Sequence, residues 1–106
     1  MKVILHVPDS LRIKNALSNA RNILKGMEGQ HDIAVVFNAD AVSEVLKITV
    51  PDDILNAESV SLYLCNNSLI ANQIDASTVP ESFSIVPAAV VFVLEKQSEG
   101  YLYIRP

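Results

Sequence analysis

The sequence has very little cysteine and glycine, and each shortage excludes a class of protein or of binding site. It contains one cysteine and no tryptophan in 106 residues. A single cysteine cannot form an internal disulfide, which excludes a small secreted fold held together by such bonds. The three glycines, Gly26, Gly29 and Gly100, form neither a dinucleotide-binding fingerprint nor a P-loop, so neither kind of nucleotide site is predicted.

The sequence also lacks a long apolar run and an excess of positive charge. Its longest apolar stretch, from Val86 to Leu94, contains Pro87 and is far shorter than the roughly 20 residues of a membrane-spanning helix. The first residues form an apolar segment without a charged leader, so we expect a cytoplasmic protein that does not bind membranes. The net charge of −4 disfavours nucleic acid as a partner.

The chain does contain short apolar segments that alternate with helical patterns. Strands are predicted over residues 2–7, 32–37, 59–64, 83–86 and 101–105. Helices are predicted from residue 9 or 10 to 27, after residue 38 or 40, and over residues 51–56, 67–73 and 88–98. This alternation predicts a single domain over residues 1–106, a three-layer α/β/α sandwich with a five-stranded, mainly parallel sheet.

The first predicted helix carries much of the positive charge. Four of the eight basic residues lie on it: Arg12, Lys14, Arg21 and Lys25. Two interpretations stay open. The basic face is either simply solvated, or it docks on an acidic patch of another subunit or collects anions.

Candidate site residues follow from the position of the strand ends. Ligands of open parallel sheets bind outside the carboxyl ends of the strands. The residues predicted at those ends are His6, Asn38, Asp40, Cys65, Asn66 and Pro87. His6 can activate the thiol of Cys65 only if the first and third strands are neighbours, because an intervening strand separates them by roughly 10 Å.

Cys65 is the candidate nucleophile because it lies where a strand ends and a helix begins. Free N–H groups and the positive end of a helix dipole favour a thiolate there. Asn66, Asn67 and Ser68 follow it, and Asn and Ser commonly accept hydrogen bonds at a helix start. The alternative is a small buried residue with a structural role. The histidines and Cys65 lack the paired spacing of metal ligands, so no metal or cofactor is predicted.

Six segments of the chain are similar to segments of a known family. They are His6-Val7, the basic helix from Arg12 to Leu24, Val36 to Val42, Leu64 to Leu69, Val86 to Val91, and the closing Glu99 to Pro106. In this order and spacing, over nearly its whole length, the chain resembles the DsrE/DsrF-like family of small proteins linked to intracellular sulfur oxidation and sulfur relay.

The resemblance implies an α/β/α fold, assembly into homotrimers or homohexamers, and a cysteine that carries sulfur as a persulfide. Cys65 matches that cysteine. Ala39, Ala41 and the pair Ala88-Ala89 depart from the family, because relatives often have Gly in the first segment and Ser-Gly in the second. These changes would narrow the pocket.

Two hypotheses about function follow. In the first, the protein is a sulfur carrier or sulfurtransferase-like protein. Cys65 holds a sulfane sulfur near the N–H groups of residues 66–68, His6 and Asn38 line the pocket, and a sulfur donor or acceptor protein is the partner. In the second, it is a non-catalytic oligomeric assembly or small-ligand-binding module. Cys65 is then structural, and residues 90–93 with Tyr101 and Tyr103 form subunit contacts.

Overall fold

Five short strands form one sheet at the centre of the molecule. The computed structural model describes residues 1–106. The strands are β1 (Lys2–Val7), β2 (Asp32–Phe37), β3 (Val60–Cys65), β4 (Phe83–Val86) and β5 (Leu102–Ile104). Their order is β4-β3-β2-β1-β5, and every neighbouring pair is parallel. The predicted α/β fold is confirmed, and the sheet is wholly rather than mainly parallel.

Five helices connect the strands. They are α1 (Ile13–Gly26), α2 (Ala41–Val45), α3 (Asp52–Leu55), α4 (Asn66–Ala71) and α5 (Ala89–Ser98). Short 3₁₀ turns precede α1 at Ser10–Arg12 and follow α4 at Ala76–Thr78. The valine-rich segment after Pro87 is helical, as predicted, because the parallel strands β4 and β5 need a crossover connection. Gly100 follows α5 with φ +94°, a backbone conformation that favours glycine.

The two faces of the sheet are covered unequally. On one face, Leu5, Phe37 and Leu64 pack with Leu17 of α1 and Val42 of α2 in the larger core. The opposite face has a smaller core, in which Ile4 and Val36 of the sheet join Phe92 and Val93 of α5. Every residue of β2 from Ile33 to Phe37 is buried, as expected for a central strand between two helical layers.

The predicted helix caps are not made by the expected side chains. Asp9 pairs with Arg12, and Asn38 and Asp40 make no capping bond to α2. The Oδ1 atom of Asp40 instead accepts a hydrogen bond from the amide of Ser10 at 3.2 Å. Asp40 thus joins two loops, a tertiary role that local capping patterns do not encode.

The last strand is shorter than predicted. The amide of Tyr101 donates to the carbonyl of Lys96 at 3.1 Å, so Tyr101 still belongs to the turn that ends α5. Pairing with β1 begins only at Leu102 and ends at Ile104.

Two of the four basic residues of the predicted basic helix form ion pairs within the chain. Arg12 pairs with Asp9, and Arg21 forms a bidentate pair with Asp53 of α3, with N–O distances of 2.5 and 2.9 Å. Lys14 and Lys25 are exposed. The Arg21 pair therefore joins α1 to α3.

Candidate functional site

The strand order divides the predicted site residues into two clusters at the carboxyl edge of the sheet. Because β2 lies between β1 and β3, His6 and Cys65 are separated by two strand spacings, roughly 10 Å. Neighbouring strands would have been needed for His6 to act as the base of the thiol. His6 therefore belongs to one cluster and Cys65 to the other.

Cys65 lies between the first residues of two helices. It is the last residue of β3 and directly precedes α4, with 4% of its surface exposed. The amide of Ala89, the first residue of α5, donates to Cys65 Sγ at 3.3 Å. The amide of Asn67 donates to the carbonyl of Pro87 at 3.3 Å. These bonds bring the start of α5 against the thiol.

Two opposing effects determine the acidity of Cys65. Burial raises the pKa of the thiol and is the largest single contribution. Hydrogen bonds from the Ser68 hydroxyl and from the amides of Ala89, Ser68 and Asn67 act in the other direction. The hydrogen bonds outweigh burial, so the pKa of Cys65 lies below its ordinary value. The lowered pKa increases the fraction of thiolate, the nucleophilic form of cysteine, at a given pH.

A small groove lies between the end of β4 and α5 and is lined by neighbours of the residues that contact Cys65. It has a volume of about 180 Å³, and its lining residues are Val86, Pro87, Ala88, Val91, Phe92 and Glu95. Val86 is the strand partner of Cys65, and Ala88 precedes the residue that donates to Sγ. The groove is mostly apolar, with Glu95 as its charged residue.

Ser68 of α4 is bonded to the loop that follows β2. Its Oγ atom accepts a hydrogen bond from the amide of Ala39 at 2.8 Å. The Nδ2 atom of Asn72 donates to the carbonyl of Ala39 at 3.2 Å and to that of Ser68 at 2.7 Å. Both backbone polar groups of Ala39 are thus bonded to residues of α4 or its C-terminal cap.

His6 forms the second cluster with Asn38 and Tyr103. Its Nε2 atom donates to Oδ1 of Asn38 at 3.1 Å, so its Nδ1 atom accepts from the Tyr103 hydroxyl at 2.5 Å. Burial lowers the pKa of His6, the bond to Asn38 opposes this, and the positive charge of Arg105 lowers the pKa further. The net effect is a lowered pKa, which favours the neutral imidazole with both nitrogens bonded.

The remaining predicted site residues are placed as follows. Asn66 begins α4 with a half-buried side chain, and Pro87 is exposed at the rim of the groove. Asp40 is bonded to Ser10 and belongs to neither cluster.

Sequence reasoning gave no hydrogen-bonding role to three residues. The first is Ala89, noted only as a departure from the resembled family; its amide faces the sulfur, and a signal was present because Pro87 suggests a helix start in the next residues. The other two are Ala39, also noted only as such a departure, and Asn72. No local pattern marks either of them, since their bonds join residues that are distant in sequence.

The structure offers no cluster suited to a metal ion. No three His, Cys, Asp or Glu side chains come together in a way that could hold one. None of the helices combines the length and apolar character that a membrane crossing requires.

Comparison with known proteins supports the fold but assigns no activity. No protein-family model matches the chain, and no curated protein matches it. Among solved structures, the chain is similar to MTH1491 from Methanobacterium thermoautotrophicum, a protein of unknown function. The TM-score is 0.81 at 26% sequence identity, over 98% of this chain and 97% of that one. The two share one fold.

Proposed function

We propose that the protein is a sulfur carrier of the DsrE/DsrF-like type, which holds sulfane sulfur as a persulfide on Cys65. The observation that carries the proposal is the amide of Ala89 directed at Cys65 Sγ at 3.3 Å. Together with the bonds that lower the pKa of the thiol, it favours a sulfur atom with negative charge. The single free cysteine fits a reducing compartment such as the cytoplasm.

The proposed reaction is a transfer of sulfane sulfur between thiols. The Cys65 thiolate attacks the outer sulfur of a donor persulfide, R–S–SH. The donor's S–S bond breaks and a new S–S bond forms to Sγ, while R–S⁻ leaves. The proton stays on the transferred sulfur or passes to water, and no external oxidant or reductant is needed. Reversal of these steps delivers the sulfur to an acceptor thiolate.

The surroundings of Cys65 suit a persulfide in two ways. The N–H groups of residues 67, 68 and 89 supply partial positive charge where the extra sulfur would carry negative charge. Cys65 is buried in the same apolar core as Phe92, which limits water near the reactive sulfur. His6 does not take part, because its imidazole is bonded to Asn38 and Tyr103 and lies on the other side of β2 from Cys65.

We further propose that the protein works as a homotrimer or homohexamer. Helix α5 packs on the sheet with Phe92 and Val93, but its outer side is also apolar. Val90, Val91 and Leu94 are 67%, 51% and 63% exposed. A helix that is apolar on both sides is typical of a buried position, which a second copy of the chain would supply.

One observation favours the second function, a non-catalytic assembly or ligand-binding module. Cys65 is only 4% exposed and belongs to the smaller apolar core with Ile4 and Phe92. Free cysteine in such a place is often only a packing residue. In that function the groove beside α5 binds a small ligand or a subunit.

Intact mass spectrometry distinguishes the two functions. The reduced protein is incubated with a polysulfide donor, and Cys65→Ser is the matched control. We expect a gain of one sulfur atom in the wild type alone, reversed by a thiol reductant. No gain, together with a thiol that resists alkylation until the protein is unfolded, would reject the sulfur-carrier proposal and leave the binding module.

A further inference from the structure

We propose that the carboxyl ends of β1, β2 and β5 form a binding site for a small oxyanion, a phosphate or a carboxylate. Asn38 and Arg105 hold the anion, and His6 and Tyr103 orient the side-chain amide of Asn38. The site lies on the other side of β2 from Cys65, and it does not depend on the proposed sulfur chemistry.

The first observation is the position of this site in the sheet. The chain adds β2, β3 and β4 on one side of β1, and α5 then crosses the sheet to place β5 on the other side. Helices α1 and α5 pack on opposite faces, since α1 belongs to the larger core and α5 to the smaller one. Strand order therefore reverses between β1 and β5, and open α/β sheets bind ligands at such a point.

The second observation is a chain of hydrogen bonds that orients an amide at this point. The Tyr103 hydroxyl donates to Nδ1 of His6 at 2.5 Å, so the ring proton lies on Nε2, which donates to Oδ1 of Asn38 at 3.1 Å. The amide oxygen of Asn38 is thus engaged, while its Nδ2 group is free to donate to a ligand. His6 and Asn38 are half-buried and Tyr103 is 40% exposed, so solvent reaches the cluster.

The third observation is a positive charge beside this cluster. The pairing of β1 with β5 ends at Leu5 and Ile104, so Arg105 comes next to His6, about one strand spacing of 4.8 Å away. Arg105 is exposed and is in none of the four ion pairs of the chain. Its guanidinium group is therefore available to a ligand at the end of β1.

The carboxylates of the neighbouring loops are engaged elsewhere. Asp9 pairs with Arg12, and Oδ1 of Asp40 accepts from the amide of Ser10 at 3.2 Å. Neither carboxylate is bonded to Arg105, so the protein itself does not occupy the guanidinium group.

The free donors of this cluster determine the class of ligand. A guanidinium group can donate two parallel hydrogen bonds to two oxygens of one carboxylate or phosphate. The Nδ2 group of Asn38 adds a neutral donor, and no acidic side chain belongs to the cluster. A small anion with several acceptor oxygens matches these groups, whereas a cation does not.

A nuclear magnetic resonance titration of the full-length protein tests the site. Sodium phosphate and sodium acetate are added in separate experiments, with the ionic strength held constant by sodium chloride. We expect saturable shifts of the side-chain N–H signals of Asn38 and Arg105. Saturation with only one of the two anions assigns the site to that anion. Shifts that do not saturate, or the absence of shifts with both anions, overturn the inference.

A pair of charge variants separates a specific site from general attraction of anions. Arg105→Gln should weaken binding by roughly tenfold, because a charge-assisted hydrogen bond is lost. Lys25→Gln removes an exposed positive charge from α1 and should leave the affinity unchanged. Equal weakening by the two substitutions would show that the anion responds only to net charge, and it would reject the site.

A pair of tyrosine variants tests the positioning role of Tyr103. Tyr103→Phe removes the donor to Nδ1 of His6, so the ring proton and the Asn38 amide are no longer fixed. We expect roughly threefold weaker binding, and nitrogen shifts of the His6 ring that change from one tautomer to a mixture of two. Tyr63→Phe, in β3, is the matched control and should change neither quantity. Unchanged affinity and unchanged ring shifts in Tyr103→Phe contradict the positioning role.

Discussion

Two single residues at the carboxyl edge of the sheet, Cys65 and Ala39, are held in environments that are unfavourable for their type. Cys65 is buried, which alone would keep the thiol protonated, yet hydrogen bonds from four groups lower its pKa. Ala39 is held in a left-handed conformation that a glycine would adopt without strain. Cys65 directly precedes α4, and the amide of Ala39 donates to Ser68 Oγ of that helix, so both residues are held next to α4.

Replacing Ala39 with glycine should relieve the strain in this loop. We expect Ala39→Gly to raise the free energy of unfolding by about 0.5–1 kcal/mol, because glycine populates positive φ at no steric cost. Urea denaturation monitored by circular dichroism measures the change. Ala88→Gly is the matched control: Ala88 has φ −149°, so the same substitution should lower stability by a few tenths of a kcal/mol. Equal destabilisation by both substitutions would show that Ala39 is not strained.

At the scale of elements, side-chain contacts of β5 and of Tyr101, the residue before it, supplement the short ladder of β5. It is only three residues long and pairs with β1 alone. Tyr103 bonds to His6 of β1, and the Tyr101 hydroxyl donates to Asp32 at the start of β2. The Nζ atoms of Lys2 and Lys96 lie 5.6 and 5.0 Å from the Tyr101 ring centroid. These contacts hold a short edge strand that has no neighbour on its other side.

The bond between Tyr101 and Asp32 makes stability depend on pH in the alkaline range. Its hydrogen bond to the carboxylate raises the pKa of Tyr101 to about 12, against about 10 in an unfolded chain. The folded state thus favours the neutral phenol. Its stabilisation is complete below about pH 10 and is lost as pH rises towards 12.

We expect Tyr101→Phe to lower the free energy of unfolding by about 1 kcal/mol near pH 8. The difference from the wild type should shrink as pH rises above about 10, because the wild type loses the same stabilisation. Urea unfolding at several alkaline pH values tests this. Asp32→Asn should lower the ionisation midpoint of Tyr101 in ultraviolet titration. A stability difference that stays constant up to pH 12 would contradict the assignment.

At the scale of the whole molecule, the exposed side of α5 is the surface on which the proposed assembly rests. Only α5 supplies helical residues to the smaller core, and its outer side carries exposed valines and Leu94. Exposed apolar surface next to a groove is typical of an interface. The proposed homotrimer or homohexamer therefore depends on this helix more than on the basic face of α1.

Leu94→Asp should weaken that assembly. Leu94 is 63% exposed, so a carboxylate there leaves the fold intact but places a charge in an apolar contact. Light scattering across a concentration series should give a mass that is a multiple of the chain for the wild type and lower for Leu94→Asp. Leu55→Asp on α3, at a position 42% exposed, is the control and should retain the wild-type mass. A wild type that stays monomeric at every concentration would reject the oligomer.

Patterns that are local in sequence accounted for most of the fold. The short apolar segments predicted β1, β2 and β4, and the apolar spacing of three and four residues predicted α1. These patterns exist because the side chains that a strand or helix buries recur with the period of that element. The position of Cys65 between a strand and a helix was predictable for the same reason.

The tertiary structure alone decided which of the edge residues meet. Strand order depends on how the crossover helices pack, and it placed β2 between His6 and Cys65. Two hydrogen bonds join segments far apart in the chain: the amide of Ala89 donates to the sulfur of Cys65, and Asn72 donates to the carbonyl of Ala39. Ala39 has a positive φ within this tertiary arrangement. Residue types and spacing determined that a thiol stands at the end of β3, with Asn67 and Ser68 at the start of the next helix. The amide of Ala89, in contrast, reaches the sulfur only when α5 packs beside β3, because 24 residues separate the two in sequence.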